Sequence, residues 1–133
     1  TYNLPALRGL QAGVAWLTAR TREEADRPRT LVAHAIEGLR DIPRIRLYGV
    51  EPDTTRLPLL TFNLAGMAPS EVGNILDHSF GIAVRTGLHC APLAHRWLGT
   101  APEGAVRISP GPFTTAADID QLVTAITEIA ATS

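Results

Sequence analysis

The chain has 133 residues, 45% of them hydrophobic. That is too apolar for a disordered polymer and the right length for one core, so residues 1–133 are expected to form a single domain. A formal charge of −1 gives no electrostatic drive toward nucleic acid or an acidic membrane surface, and no apolar run is long enough for a membrane span. The single cysteine excludes an internal disulfide and a multi-thiolate zinc site, and all 12 Lys+Arg residues are arginine, so the chain has no side-chain amine for a Schiff base.

Pro5 opens an amphipathic helix whose apolar stripe is Leu7, Leu10, Val14 and Leu17. Thr21 with Glu24 forms a capping box for a second helix, with Leu31, Val32, Ala35, Ile36 and Leu39 as its buried face and a kink expected at Pro28. After Gly38 the period shortens. Ile45, Leu47 and Gly49 alternate with Arg44, Arg46 and Tyr48, which predicts a half-buried strand. Residues 50–57 carry turn chemistry, and residues 59–64 predict a second strand. Pro69 and Ser70 open a third helix that buries Val72, Ile75, Leu76 and Phe80. Brief strands follow at residues 82–85 and 105–109. Thr115 and Asp118 cap a last helix bearing Ile119, Leu122, Val123, Ile126 and Ile129. The order α-α-β-β-α-β-β-α predicts an α+β fold: a small, mostly antiparallel sheet with helices on one face.

The connection over residues 86–104 is long for a compact domain, which points to function. It gathers His89, Cys90 and His95, with Arg85 and Arg107 flanking it, a hinge at Gly87 and a brace at Pro92. Leu93, Trp97 and Leu98 are expected to form a short buried helix that holds the segment down. Singly, each reactive residue has a plain reading: the cysteine as a small buried hydrophobe, the histidines as surface or capping groups, the arginines as exposed strand ends. A zinc site built from His89, Cys90 and His95 lacks a fourth ligand and paired spacing. Together they suit a thiol nucleophile beside a clamp for a carboxylate, because guanidinium binds carboxylate bidentately.

The run Gly81-Ile82-Ala83-Val84-Arg85-Thr86-Gly87-Leu88-His89-Cys90-Ala91-Pro92 resembles the active-cysteine segment of cysteine desulfurases and selenocysteine lyases. These are class V members of the fold-type I enzymes that depend on pyridoxal 5'-phosphate (PLP). Gly104-Ala105-Val106-Arg107-Ile108-Ser109 and Phe113-Thr114-Thr115-Ala116-Ala117-Asp118-Ile119-Asp120 resemble the family's closing strand and helix, and Thr1-Tyr2-Asn3-Leu4-Pro5 its Gly-Thr-x-Asn segment without the glycine. The resemblance implies the small C-terminal domain of such an enzyme, with the PLP lysine in a missing N-terminal domain and no PLP bound to this chain alone. It implies that Cys90 takes sulfur from the substrate as a persulfide, that Arg107 binds the substrate carboxylate, and that Arg85 and His89 line the same pocket. It places Thr1 at the cofactor phosphate of the neighbouring subunit in a homodimer, and implies cysteine or selenocysteine as substrate, a sulfur-acceptor protein as partner and a cytoplasmic location. Leu88 stands where better-known members often carry a second histidine. Two other readings remain open: a stand-alone carrier of a persulfide on Cys90, and an inactive structural remnant. The chain begins at Thr1 without methionine, as expected of a processed product or a piece of something longer. On this reading the first helix, with Leu4 and Trp16, shows an exposed apolar patch.

Overall fold

A computed structural model describes residues 1–49 and 57–132. Helix α1, Leu4–Thr18, begins where the Asn3 side chain accepts from the Ala6 N–H at 3.1 Å. It contributes no buried residue. Leu4, Leu7, Leu10, Val14 and Leu17 are each at least 50% exposed, the patch expected from the sequence. One tether holds the end of α1 down: Trp16 stacks on Phe113 with ring centroids 5.1 Å apart, and the Arg20 guanidinium lies 4.4 Å from the indole centroid.

Helix α2, Arg22–Leu39, starts on the expected capping box, with the Thr21 N–H donating to Glu24 Oε2 at 2.8 Å and the Glu24 N–H to Thr21 Oγ1 at 3.2 Å. The helix runs through Pro28. Proline has no N–H, so the carbonyl four residues earlier, that of Glu24, loses its helical donor; Arg20 Nη2 reaches it at 3.4 Å. Strand β1, Ile45–Tyr48, follows a tight entry at Arg44, whose φ is +69°. The Arg44 guanidinium donates to the Ala65 carbonyl and, at 3.4 Å, to the Ala130 carbonyl, so one side chain ties the sheet to the last turn of the final helix. Except for Leu57, the turn expected at residues 50–57 lies outside the described residues.

Strand β2 is Leu60–Leu64, helix α3 is Pro69–Phe80, strand β3 is Arg85–Gly87, helix α4 is Pro92–Leu98, strand β4 is Ala105–Ile108, and helix α5 is Ala116–Thr132. The four strands form an antiparallel sheet in the order β1-β2-β4-β3. Along β2 the residues Leu60, Phe62 and Leu64 are buried and alternate with half-buried Thr61 and Asn63. The buried set packs with α2, α3 and α5 in one cluster that includes Val32, Leu39, Leu76, Val106, Leu122 and Ile126. The helices therefore cover one face, and Arg85, Arg107 and Asn63 lie on the other.

One difference from the sequence reading has a local physical cause. The strand expected at residues 82–85 begins only at Arg85 and runs to Gly87. Gly81 ends α3 in the left-handed conformation, its N–H donates to the Asp77 carbonyl at 3.1 Å, and the Ile82 N–H is drawn back to the Leu76 carbonyl at 2.9 Å, so this stretch caps α3 instead of pairing with β4. Ile82 and Val84 still pack on the core, and a cleft of about 250 Å³ opens between residues 81–84 and 108–110. The strand expected to end at residue 109 ends at Ile108, and the one expected from residue 59 starts at Leu60. Helix α4 is the short helix expected around Leu93, Trp97 and Leu98, and with it the full order is α-α-β-β-α-β-α-β-α, consistent with the expected α+β fold. Among the described residues no helix is long and apolar enough to cross a membrane.

Candidate active site

The site is built on the outer face of the sheet, at the β3 edge. Arg85 on β3 and Arg107 on β4 are directly opposite in register, so both guanidinium groups leave the same face. Two like charges across a ladder repel each other, an arrangement that an anion between them would relieve. Arg107 Nε is buried and, among the described residues, has no hydrogen-bond partner. On the same face Asn63 donates to the Gly104 carbonyl at 3.1 Å, while its Oδ1 is buried without a donor. An unused donor and an unused acceptor are thus buried on the side of the sheet opposite α2, α3 and α5.

After β3 the chain turns sharply. The Ala91 N–H closes on the Leu88 carbonyl at 2.8 Å, and the two residues inside that turn, His89 and Cys90, both have positive φ, +53° and +58°. The turn holds the Cys90 thiol exposed, with Arg85 Nη2 at 3.6 Å from Sγ. The thiol is thus not sealed in the interior, and one of the two guanidinium groups touches it.

Helix α4 follows, and its inward residue is not an apolar one. Leu93 is 73% and Trp97 86% exposed, which corrects the expectation that these two bury the helix; Leu98 is half-buried. The inward group is His95, at 3% exposure, so the surface or capping role expected of it is also corrected. The physical reason is what the inward side of α4 meets: the polar His89 of the preceding turn and Thr100, rather than the apolar core. His95 Nδ1 lies 2.7 Å from Thr100 Oγ1, and its Nε2 lies 3.3 Å from His89 Nδ1. His89 Nε2 in turn lies 3.2 Å from the Arg85 carbonyl.

The structure therefore brings together Arg85, His89, Cys90 and Arg107, with His95 behind them. Thr1 lies exposed ahead of α1 and shares none of these hydrogen bonds or ring contacts. Sequence reasoning missed Thr100 and Asn63. The left-handed cap at Gly99 returns the chain so that Thr100 meets His95. Among the described residues no group of three or more His, Cys, Asp or Glu side chains is placed to hold a metal ion.

Burial lowers the pKa of His89 from its ordinary 6.5, and the charges of Arg107, His95 and Arg85 lower it further against the opposing hydrogen bond to the Arg85 carbonyl. Because the folded value lies below the unfolded one, the unfolded chain binds more protons once the pH falls below about 6.5, and stability is lost on acidification through that window. We expect melting temperature to decline between about pH 7 and pH 5.5, and the decline to be shallower in His89→Gln. An unchanged slope in that variant would show that His89 does not contribute. Glu24 and Asp118, lowered by the backbone hydrogen bonds of their capping boxes, act only at lower pH, where carboxylates take up protons.

The sequence pattern of the aminotransferase class-V family matches residues 1–122. The chain is 35% identical over 130 residues to a cysteine desulfurase of Salmonella agona, and equally to one of Salmonella typhimurium; each match covers 97% of this chain and 30% of the relative. Among solved structures it resembles the S-sulfonic acid form of the cysteine desulfurase CsdA from Escherichia coli, with a TM-score of 0.83 and 30% identity over 98% of this chain and 31% of that one. It also resembles the apo cysteine desulfurase of Thermococcus onnurineus, with a TM-score of 0.72 and 28% identity over 78% of this chain and 25% of that one. The chain thus spans about 30% of the length of the curated relatives it matches.

Proposed function

The chain belongs to the aminotransferase class-V family, and from that premise we propose that it is the C-terminal, sulfur-accepting portion of a cysteine desulfurase-like enzyme. The observation that carries this reading is the exposed Cys90 thiol, presented on a left-handed turn with Arg85 Nη2 at 3.6 Å. In the reaction the Cys90 thiolate attacks the sulfur of free cysteine. A sulfur–sulfur bond forms and the Cβ–sulfur bond breaks; PLP held by the remaining polypeptide would supply the sink for the electron pair left at Cβ, which takes a proton to give alanine. Cys90 is left as a persulfide with no external oxidant or reductant needed. Arg107, with its unpartnered Nε, binds the substrate carboxylate, and Arg85 and His89 line the pocket. Selenocysteine fits the same scheme, with selenium in place of sulfur.

The residues present do not fit as the anchor of PLP. The aldehyde requires a primary amine, and the chain contains no lysine. The cofactor therefore belongs to polypeptide outside these residues. Alone, the chain can receive sulfur on Cys90 but cannot free it from cysteine. The exposed stripe Leu4, Leu7, Leu10, Val14 and Leu17 supports an interface with that remaining polypeptide, since isolated soluble domains rarely leave so continuous an apolar face bare. In the assembled homodimer Thr1 reaches the cofactor phosphate of the neighbouring subunit, and the persulfide passes to an acceptor protein in a reducing cytoplasm.

The direct test is to incubate the full-length protein with L-cysteine, trap thiols by alkylation and map the modified peptides by mass. We expect one additional sulfur on Cys90. Sulfur on another residue, with none on Cys90, would refute the reading. Arg107→Ala should raise the KM for cysteine about 10- to 100-fold, the equivalent of losing a charge-assisted pair worth about 1.5–3 kcal/mol, with a smaller change in kcat. An unaltered KM would mean that the carboxylate is held elsewhere.

A further inference from the structure

Three hydrogen bonds run in series behind the nucleophile, from Thr100 through His95 and His89 to the Arg85 carbonyl, at 2.7, 3.3 and 3.2 Å. Their direction is fixed by the last acceptor. A carbonyl only accepts, so His89 carries its proton on Nε2 and leaves Nδ1 bare. A bare Nδ1 also accepts, so His95 carries its proton on Nε2. The bare Nδ1 of His95 then takes the hydroxyl proton of Thr100, whose longer contact with the His95 carbonyl, 3.3 Å, competes for that same proton. The arrangement gives each ring one tautomer, with its proton on Nε2. The charged groups around His89 are Arg85 of β3 and Arg107 of β4; His95 of α4 is the remaining titratable neighbour, and all three disfavour a second proton on the His89 ring.

The chain ends on a strained piece of backbone. His89 and Cys90 are consecutive left-handed residues, and neither is glycine. Such conformations persist only where the surroundings hold them. Of the two side chains, Cys90 is exposed, and Arg85 is its hydrogen-bond partner. His89 is held at both ring nitrogens, by His95 and by the Arg85 carbonyl. His95 is 3% exposed, an unusual burial for a histidine on a seven-residue helix, and the sulfur transfer itself does not use it.

Resting on the reading of Cys90 as the sulfur acceptor, we propose that His95 and Thr100 are positioning residues for that thiol: acting through His89, they fix its tautomer and hold the left-handed turn that carries Cys90 to Arg85. Neither touches the reacting atoms.

Cys90 is the sole thiol of the chain, so alkylation of the whole 133-residue protein reads that one site. The experiment combines iodoacetamide labelling rates across about pH 6 to 9 with long-range proton–nitrogen spectra of the histidine rings, in the parent, His95→Phe, His95→Gln and Thr100→Val. In the parent both His89 and His95 should be protonated on Nε2 alone. His95→Phe keeps a ring but gives no proton, and should slow labelling about fivefold and move the His89 titration upward toward its ordinary value. His95→Gln places a carboxamide N–H where Nε2 stood and should recover at least half of the lost rate. Thr100→Val should leave the fold intact, mix the His95 tautomers and slow labelling by a smaller factor. If His95→Phe does not fold, Thr100→Val and His95→Gln carry the test. A folded His95→Phe or Thr100→Val whose rate–pH profile superposes on the parent's would overturn the proposal. So would a parent His95 protonated on Nδ1, or a folded His95→Gln that recovers nothing. None of these readouts involves substrate. A full-length Cys90→Ala enzyme that still desulfurates would therefore refute the sulfur-acceptor reading while leaving the labelling and ring-proton results standing.

Discussion

Cys90→Ala in the full-length enzyme should lower alanine formation from cysteine by about three orders of magnitude or more, the scale of removing a nucleophile that no neighbour replaces. No neighbour can. Among the groups around it, Arg85 and Arg107 are guanidinium cations with no lone pair to offer a sulfur atom, and His89 has one ring nitrogen engaged by the Arg85 carbonyl and the other by His95. The substitution should cost little stability. Cys90 is exposed, and alanine carries the same β-carbon into the same left-handed conformation, so the change should remain within about 0.5 kcal/mol. The expected signature is an intact melting transition and intact cofactor absorbance with no sulfur release. Cys90→Gly is a poorer control, since removing the β-carbon also removes the backbone strain at φ +58° and changes the turn as well as the thiol. Alanine formation at the parental rate in Cys90→Ala would show that sulfur leaves by a route that does not pass through this residue.

The parts of the fold that could be read from the sequence are those specified by local chemistry. The capping boxes at Thr21 and Thr115 and the apolar periods behind them predict α2 and α5, and the structure shows both boxes with both reciprocal hydrogen bonds formed. The α+β layering and the antiparallel sheet follow from the same patterns. The alternation at residues 82–84 is strand-like, but among the described residues that stretch pairs with no strand, because Gly81 and the Ile82 N–H close α3. The left-handed turn at His89 and Cys90 had no visible sign, since neither position holds the glycine or asparagine that usually marks it. Within the site, Cys90, His89, Arg85 and Arg107 could be picked out as reactive types near one loop. His95 was visible as a residue but not as a buried one, because the apolar neighbours Leu93 and Trp97 suggested the opposite orientation. Asn63 comes from a strand some forty residues away, and only the β2–β4 pairing brings it to this face.

The β3–β4 pairing sets the largest expected loss of stability, at Gly104→Ala. Gly104 precedes β4, has φ +83°, and packs so closely on Gly87 that a β-carbon would overlap the carbonyl group and Cα of that residue. The obstacle is backbone, so no side-chain rotation relieves it. Gly104 is also tied on both sides: its N–H donates to the Thr100 carbonyl at 2.6 Å, and its carbonyl accepts from Asn63 at 3.1 Å. The way out is for β3 to shift. Because β3 lies at the sheet edge with β4 as its sheet partner, the shift would pull Arg85 away from Arg107 and carry the Cys90 turn with it. We expect a loss of about 3–5 kcal/mol in denaturant unfolding, or roughly 10–20 °C in melting temperature. Gly99→Ala separates the two causes. Gly99 is also left-handed, at φ +71°, but a β-carbon there meets nothing within 4 Å, so only the conformational cost of about 1–2 kcal/mol remains. Equal losses in the two variants would mean that the Gly87–Gly104 contact adds nothing to stability. A larger loss in Gly104→Ala, accompanied by slower labelling of Cys90, would show that this glycine pair supports the fold and the nucleophile through one backbone contact.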